Sequence, residues 1–415
     1  MKMQLIGPGL RSGIGFYDII GQIKELEAKM DKKEKGKESI ILIVTIILSA
    51  IYIILGNRAS AGRLKEMTRM SDQSRPVRLR VVDIMDEHYE QTMYPCVQGR
   101  DQVVLFTAKF TGGLRRGEEV FAIQVIDLYY DDYTPMVKSG DRIVAYENRY
   151  REAPGVGYMF SRYTRTGFLV FLGAAFAAAL VLLGRKKGVR TLISLSFTIL
   201  AVFLVFIPRA ITGANIYLWT LSCGIFIIIM TMLVNNGIAL KSMTACIGCI
   251  SGVAVAGLIT LIADRRMHMT GFINEESIYL LGVNGKIDLR AVMFAGIVFG
   301  SIGAVMDVAV SLSSSLYEIR EQAPDIETSR LIKSGLVIGQ DMMGTMSNTL
   351  ILAYIGSSLT IAMLLTAYNT NSMLALFNSE MILAELLQAL AGSIGILLTI
   401  PLTSLICGIL YTKDK

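Results

Sequence analysis

The sequence is poor in the residues that build metal sites and nucleophilic active sites. Its 415 residues include five cysteines and two histidines, His88 and His268. A structural zinc site needs several His or Cys ligands at close spacing, and a Ser/His/Asp triad needs a histidine oriented by an acid. Neither histidine has a second His or Cys at such a spacing. We therefore expect no metal site, no cofactor and no enzymatic activity.

The cysteines do not form the pattern of a disulfide framework. Cys96 stands alone in a polar region, and the other four lie in apolar runs. Cys246 and Cys249 have the spacing of a redox motif, but they lie inside an apolar run, so we interpret them as small packed side chains. The sequence also lacks a glycine-rich phosphate loop, which argues against ATP-driven transport within this chain.

Charge is scarce in only one part of the chain. Residues 1–165 contain 25 Lys/Arg and 21 Asp/Glu, whereas residues 166–411 contain 13 and 12, or 25 charges in 246 positions. About a quarter of the residues in a soluble domain are charged. Because the second region has far fewer, it is suited to a lipid bilayer rather than to water. The sequence predicts a multi-pass membrane protein with a polar N-terminal part. The net charge of +6 arises from Lys and Arg that flank apolar runs, so we expect no nucleic-acid partner.

Eight apolar runs are candidates for transmembrane helices. They are 39–55, 166–184, 191–208, 214–234, 242–262, 290–313, 345–367 and 386–411. With a cytoplasmic N-terminus, the cytoplasmic segments would carry 18 Lys/Arg and the short outer loops 5. Because short cytoplasmic loops are rich in Lys and Arg, this difference predicts that both termini are cytoplasmic.

The apolar runs divide the chain into four regions. Residues 1–38 form a basic segment that we interpret either as an amphipathic helix on the inner leaflet or as a solvated tail. Residues 39–55 are predicted to be a membrane anchor, and residues 57–163 an extracytoplasmic domain. Residues 166–411 are predicted to form a seven-helix membrane domain, with a cytoplasmic amphipathic segment at 314–335.

The extracytoplasmic region alternates apolar and polar residues with a period of two, as strands do. Five short strands are predicted, at 77–85, 102–110, 118–128, 141–147 and 156–163. Turn signals separate them, so we expect a small antiparallel all-β barrel of OB-like type. Arg115 and Arg116 at a hairpin tip, and the run Tyr129–Tyr133, are either ligand contacts or solvated turns.

Asp307 is the strongest candidate functional residue. It lies inside the predicted span 290–313, where an ionised side chain is costly unless it faces protein, water or a partner. Ser311 and Ser314 follow at i+4 and i+7, on the same helix face. The other candidates for ion coupling lie in or just before the last two spans and are Asp341, Ser347, Asn348 and Glu385. Together these side chains have the chemistry of a proton or cation relay.

The same residues also allow a structural interpretation. Asp307 could hold two helices together through a polar interhelical contact, and Asp341 could lie at the membrane surface. The surroundings of Asp307 separate the two interpretations. A transporter should place it in a polar cavity within the membrane, whereas an anchor should bury it dry, paired to Asn348 or to a backbone carbonyl.

Glycine spacing predicts close helix packing. Small residues four apart let two helices approach each other. This spacing occurs at Gly248 and Gly252 and again at Gly296 and Gly300, with Gly303 in the following turn. The pattern indicates a helical bundle and no particular function.

Several stretches together resemble the YibE/F family of bacterial multi-pass membrane proteins. The resemblance rests on Asp288–Arg290, Gly300–Ser311, Gly339–Leu350 and Gly392–Gly395. It implies a location in the bacterial cytoplasmic membrane and does not imply a substrate.

The chain from residue 214 onward also resembles the membrane half of SecD/SecF and related RND-type exporters. The residues that carry this resemblance are Asp307, Ile319–Glu321 and Thr345–Thr349. The resemblance implies a part for Asp307 in proton coupling.

From the sequence we expect an α-helical polytopic membrane protein of about eight transmembrane helices, with a small extracytoplasmic barrel between helices 1 and 2. The first hypothesis is an ion-coupled transporter or exporter component that uses protons or Na⁺ and the intramembrane Asp307. The alternative is a non-transporting assembly or signalling protein whose barrel binds a ligand or an envelope partner. The expected partners are the lipid bilayer and a membrane or envelope protein.

Overall fold

The computed structural model describes residues 39–60, 62, 76–91, 100–127, 135–147, 156–273, 275–368, 374 and 378–412. The basic segment 1–38 and the run Tyr129–Tyr133 lie outside these residues. The chain divides into two compact units, residues 68–182 and the remainder. Each unit is described by itself.

Five strands form a closed barrel in the smaller unit. They are β1 (Val77–Gln91), β2 (Arg100–Phe110), β3 (Glu119–Asp127), β4 (Arg142–Glu147) and β5 (Tyr158–Tyr163). Their order around the barrel is β1-β2-β3-β5-β4, with β4 closing onto β1. Fully buried apolar residues such as Leu79, Phe106 and Ile143 fill the interior. Because side chains alternate along a strand, their neighbours Arg78 and Arg142 lie on the outside.

The barrel confirms the predicted all-β domain, but two details differ from the expectation. First, β3 and β5 pair in parallel, so the barrel is not purely antiparallel; this pairing and the strand order are those of an OB-like Greek key. Second, β1 continues to Gln91, beyond its predicted end at residue 85. Two irregularities, at Val81/Asp83 and Ile84/Asp86, bend β1 so that it stays paired with β2 along its length.

Helices form nearly all of the remaining described chain. They are α1 (Ser39–Ser60), α2 (Thr166–Ala201), α3 (Ile207–Ile211), α4 (Ile216–Asn236), α5 (Leu240–Met267), α6 (Glu275–Val283), α7 (Leu289–Gln322), α8 (Thr328–Ser357), α9 (Leu359–Tyr368) and α10 (Glu380–Thr412). A short π-helix, Val202–Phe206, joins α2 to α3. Pro208 lacks the backbone N–H that would continue the regular hydrogen-bond ladder at this junction.

Six helices of the described chain are long and apolar enough to cross a membrane, not the eight that the sequence predicts. The predicted spans 166–184 and 191–208 fall within one helical stretch, Thr166–Ile211. That stretch departs from helical geometry at Arg185, which has a φ of 47° and a ψ of −124°. Two helices therefore meet at a kink at Arg185, between the two predicted spans, and the rest of the charged segment 185–190 is helical rather than a loop.

The predicted span 345–367 is the other difference. It is divided between the end of α8 and α9, which meet at Ser358, and it is not among the six candidate spans. The predicted amphipathic segment 314–335 is divided as well, between the last turns of α7 and the first turns of α8. Pro324 lies in the turn between these two helices, where its ring cannot continue α7.

The last helix, α10, lies at the centre of the helical unit. It packs against α5, α7 and α8, and the shared core includes Val305, Leu312, Leu331 and Ile396, all fully buried. Helix α1 joins the bundle at another place, where Tyr52 stacks on Phe226 of α4 with ring centroids 4.2 Å apart. These contacts fix α7 and α8, which carry most of the candidate site.

Candidate functional site

Helix α7 carries Asp307, and a strong N-cap fixes where the helix begins. The Asp288 carboxylate accepts hydrogen bonds from the backbone N–H groups of Arg290 and Ala291, at 3.0 and 3.3 Å. An aspartate at this position satisfies donors that the first helical turn leaves free. The Asp288–Arg290 stretch therefore has a structural role at the beginning of α7.

Asp307 lies on the exposed face of α7. Gly296, Gly300, Gly303 and Ser311 share this face and are also exposed, and Ser314 in the next turn is half-buried. Among the described residues none makes a hydrogen bond or ion pair with the Asp307 carboxylate. The carboxylate is thus neither buried dry nor paired to Asn348 or to a carbonyl group. It is also not enclosed in a cavity, so neither expected environment is present in the isolated chain.

Helix α8 runs antiparallel to α7, and two contacts set its register. A Cβ atom placed on Gly335 would lie 2.9 Å from the Leu316 Cδ1, and one placed on Gly300 would lie 2.5 Å from the Tyr354 hydroxyl. Between these points Asp307 is level with about residue 346 of α8. The structure therefore brings Ser347 to the depth of Asp307.

The polar candidates on α8 differ in how deeply their side chains are buried. Ser347 is half-buried, and its Oγ atom is buried without a hydrogen-bond partner among the described residues. Asn348 is close in depth but exposed, and it makes no hydrogen bond to Asp307 within the described chain. Asp341 is exposed and lies about four turns inside α8 rather than at its beginning. Ser347 is thus the α8 candidate best placed to act with Asp307.

Two acidic residues lie near the beginning of α10, Glu380 and the ion-coupling candidate Glu385, and Glu380 is the one that organises the local structure. Glu385 is half-buried in the second turn. The Glu380 carboxylate accepts hydrogen bonds from the backbone N–H groups of Thr270 and Gly271 and from the Thr270 hydroxyl, at 2.6, 2.5 and 2.7 Å. Gly271 has a φ of +85°, and a Cβ there would overlap the backbone of Leu289. This loop is therefore fixed to both α7 and α10.

Asp264 and Arg290 form a second charged contact that sequence reasoning missed. An Arg290 guanidinium nitrogen lies 3.7 Å from the Asp264 Oδ2. Asp264 is 8% exposed, and its other carboxylate oxygen is buried without a hydrogen-bond partner among the described residues. The pair links the end of α5 to the beginning of α7. Its signal in the sequence was weak, since both residues fall at the ends of predicted spans.

Three buried hydroxyl groups join α5, α7 and α10 near the end of α7. The Thr244 Oγ1 and the Ser313 Oγ each lie 2.7 Å from the Tyr411 hydroxyl and 2.5 Å from each other. The Ser313 hydroxyl also donates to the Lys241 carbonyl at 2.7 Å. We call Thr244, Ser313 and Tyr411 the hydroxyl triad. It is fully connected, so it stabilises one arrangement of the three helices.

The glycines predicted to mediate packing fall into two groups. Gly248 and Gly252 of α5 lie against Thr403 and Thr399 of α10, where a Cβ on either glycine would overlap the threonine side chain. Gly300 lies beside Tyr354 and the Gln388 amide. By contrast, no described neighbour comes within 4 Å of a Cβ placed on Gly296 or Gly303. The α7 face around Asp307 is therefore largely uncovered.

A further pair of packing glycines could have been found from its spacing. Gly335 and Gly339 of α8 are four residues apart, and they lie against Ser404 and Ile400 of α10. Together with Gly248 and Gly252, they let α5 and α8 both approach α10 closely.

The predicted hairpin-tip residues of the barrel differ from each other. Arg115 donates to the Glu118 carboxylate at 2.7 and 2.5 Å and to the Tyr158 hydroxyl at 3.0 Å. This guanidinium lowers the pKa of Glu118 below its ordinary value. Arg116 is exposed and makes no such contact with a described residue. Arg115 thus has a structural role in the turn.

No cluster of three or more potential metal ligands occurs among the described residues. Comparison with known proteins gives one positive result. The model of the YibE/F-like protein family matches residues 172–413, which begin within α2 and include the α7 and α8 site. Neither a curated protein nor a solved structure matches the chain. The match covers more than half of the sequence, and the chain therefore belongs to the YibE/F-like family.

Proposed function

We propose that the protein is an ion-coupled transporter or exporter component of a bacterial cytoplasmic membrane, with Asp307 as its coupling carboxylate. The observation that carries the proposal is the position of Asp307. It lies well inside an apolar helix long enough to span a membrane, without a partner among the described residues, at the depth of the unpartnered Ser347 hydroxyl.

The energetics of a carboxylate at this position support a role in coupling. An ionised aspartate facing lipid is costly, whereas the protonated or cation-bound form is much less so. The charge on Asp307 therefore determines whether its α7 face is stable against lipid or requires water and polar groups. A change of protonation or of bound Na⁺ then favours one packing of this face over another.

The element that would respond is the pair of α7 and α8. Helix α7 is held by the Asp288 cap at its beginning and by Ser313 of the hydroxyl triad near its end. Between these points the face with Asp307 and Ser311 is uncovered. We propose that α8, moving on its glycine contacts with α10, covers and uncovers this face and thereby exposes Asp307 to the two sides of the membrane in turn.

The topology in this proposal follows from the distribution of basic residues. It is the topology of the eight spans predicted from the sequence, in which the cytoplasmic segments carry 18 Lys/Arg and the short outer loops 5, so both termini are placed in the cytoplasm and the barrel outside. In this arrangement the barrel binds the substrate or a partner protein.

Ion flux in proteoliposomes tests the proposal. Purified protein is reconstituted with a pH-sensitive or Na⁺-sensitive dye inside the vesicles, and a proton or Na⁺ gradient is imposed. We expect the wild-type protein to dissipate one gradient faster than empty vesicles, and Asp307→Asn to fall to the empty-vesicle rate. Asp341→Asn is the matched control and should retain flux. Equal rates for wild type and Asp307→Asn, or wild-type rates equal to those of empty vesicles, would contradict the proposal.

A second candidate function is a non-transporting assembly protein. It is favoured by the uncovered small residues Gly296 and Gly303, because a helix of another membrane protein could pack closely there and cover Asp307. In that case Gly303→Leu should release a co-purified membrane protein, while ion flux stays at the empty-vesicle rate in every variant.

A further inference from the structure

The barrel unit contains a cavity lined almost entirely by cationic and hydroxyl-bearing residues. Its volume is about 360 Å³, within the range of small-molecule sites. The residues that line it are Arg78, Val144, Tyr146, Ser161, Arg162, Tyr163, Thr164, Arg165 and Thr166. No carboxylate is among these lining residues.

The strand register explains how the arginines come together. Arg78 of β1 pairs with Val144 of β4, and Val144 pairs with Arg162 of β5. The three residues therefore form a row across neighbouring strands about 5 Å apart. Arg78 and Arg162 are exposed on the outer face of the barrel, while the adjacent Leu79 and Ile143 are fully buried inside. The small Val144 side chain between the two arginines leaves room for the cavity.

The arginines of this face form no direct ion pair within the described chain, although the Asp141 carboxylate lies near Tyr163, which lines the cavity. Two residues further along β1, on the same outer face of the barrel, Arg80 pairs directly with Arg142 of β4. Like charges directly opposite each other destabilise a sheet. The guanidinium groups of Arg78, Arg80, Arg142, Arg162 and Arg165 form no ion pair or hydrogen bond with any described residue. Such an arrangement is stabilised when an anion binds.

The position of the cavity in the chain indicates where this anion lies. Arg165 and Thr166 line the cavity, and α2 begins at Thr166. The apolar residues that follow, including Phe168, Leu169 and Phe171, are exposed. They belong to a helical stretch long and apolar enough to span a membrane, and none of the residues in its most apolar part is buried. The cavity is thus within one or two turns of the point where the chain enters hydrocarbon, which is the depth of lipid headgroups.

We propose that this cavity binds the phosphate group of an anionic phospholipid. Arginine pairs with phosphate through two parallel N–H···O bonds, and Arg78, Arg162 and Arg165 all line this cavity. The Thr164 Oγ1 is buried without a partner among the described residues and supplies a hydroxyl donor. An anionic headgroup is preferred to a choline headgroup, because the quaternary ammonium would face the same arginines. The site anchors the barrel unit to the membrane surface at the beginning of α2.

Native mass spectrometry of the detergent-purified full-length chain tests this site. The protein is titrated with short-chain phosphatidylglycerol, with phosphatidylcholine of the same chain length, and with inorganic phosphate. We expect tighter binding of the first phosphatidylglycerol than of phosphatidylcholine. The double variant Arg78→Gln/Arg162→Gln should weaken phosphatidylglycerol binding by about tenfold or more. Arg116→Gln, an exposed arginine of the same barrel away from the cavity, is the matched control and should bind as the wild type does.

A second variant keeps every charge and fills the cavity. Val144→Phe should also weaken phosphatidylglycerol binding, whereas a purely diffuse attraction to the arginines would be unchanged. The thermal stability of the lipid-free double variant should equal or exceed that of the wild type, because repulsion between arginines is relieved. Three results would overturn the proposal: no preference for phosphatidylglycerol over phosphatidylcholine, unchanged binding by the double variant, or displacement of the lipid by an equal concentration of inorganic phosphate.

Discussion

Gly252 of α5 lies against Thr399 of α10 so closely that no side chain fits between the two helices. A Cβ on Gly252 would overlap the Thr399 hydroxyl and come within 2.9 Å of Val305 on α7. Gly252 is therefore a point where three helices of the bundle meet. The same α5–α10 contact continues one turn away, where Gly248 lies against Thr403.

The first prediction concerns this contact. Gly252→Ala should destabilise the protein by about 1–3 kcal/mol, because the added methyl group overpacks a close helix interface. Gly303→Ala is the matched control, since no described neighbour comes within 4 Å of its Cβ position. It should leave stability unchanged or raise it, because alanine is the better helix former. Thermal unfolding in detergent measures both, and equal effects of the two variants would show that α5 and α10 do not pack in this way.

The second prediction concerns the hydroxyl triad. Tyr411→Phe removes the hydroxyl that contacts both Thr244 and Ser313, and it should lower the free energy of unfolding by about 1–2 kcal/mol. Thr244→Val keeps the side-chain shape and removes a second hydroxyl.

A double-mutant cycle then tests whether the three groups act as one network. Because each hydroxyl contacts the other two, the double variant Thr244→Val/Tyr411→Phe should cost less than the sum of the two single variants. Strict additivity would contradict a connected network.

The third prediction concerns Glu380 and the loop after α5. Glu380→Gln converts a carboxylate that accepts three hydrogen bonds into a group with one acceptor oxygen. The backbone N–H groups of Thr270 and Gly271 should then exchange with deuterium about tenfold faster or more, because the loop opens more easily.

The control for this experiment is Glu276→Gln. Glu276 is exposed on α6, and its substitution should leave the exchange of both amide groups unchanged. Unchanged exchange in Glu380→Gln would mean that the carboxylate does not hold the loop.

The sequence predicts the barrel strands well because their signals are local. Alternation of apolar and polar residues and the turn residues between strands place four of the five strands within about two residues at each end. The parallel pairing of β3 with β5 is not a local property. It depends on contacts between residues more than thirty positions apart, such as Ala122 and Tyr158, which periodicity cannot detect.

The helix faces are harder to predict, for a physical reason. In a membrane, the side of a helix that faces lipid is as apolar as the side that faces protein. Hydropathy therefore finds α7 but does not indicate which side is covered. Sequence reasoning selected Ser311 and Ser314 for their spacing from Asp307, whereas the buried network uses Ser313, one residue away on another face. The same limit hides the exposure of Asp307.

Some site residues become visible only when distant parts of the chain meet. Glu380 and Thr270 are 110 positions apart, and neither has a local pattern that indicates the contact. The ends of helices are similarly difficult, because α7 continues through polar residues to Gln322, beyond the apolar run from which its end was predicted.

In the proposed function, a titratable carboxylate at position 307 is essential. The most direct test compares ion flux in proteoliposomes for Asp307→Glu and Asp307→Asn at equal protein incorporation. The glutamate variant keeps an ionisable group slightly displaced, and the asparagine variant keeps the shape without it. We predict measurable proton or Na⁺ flux for Asp307→Glu and flux at the empty-vesicle rate for Asp307→Asn. Wild-type flux in the asparagine variant would show that ion movement does not depend on a carboxylate at this position.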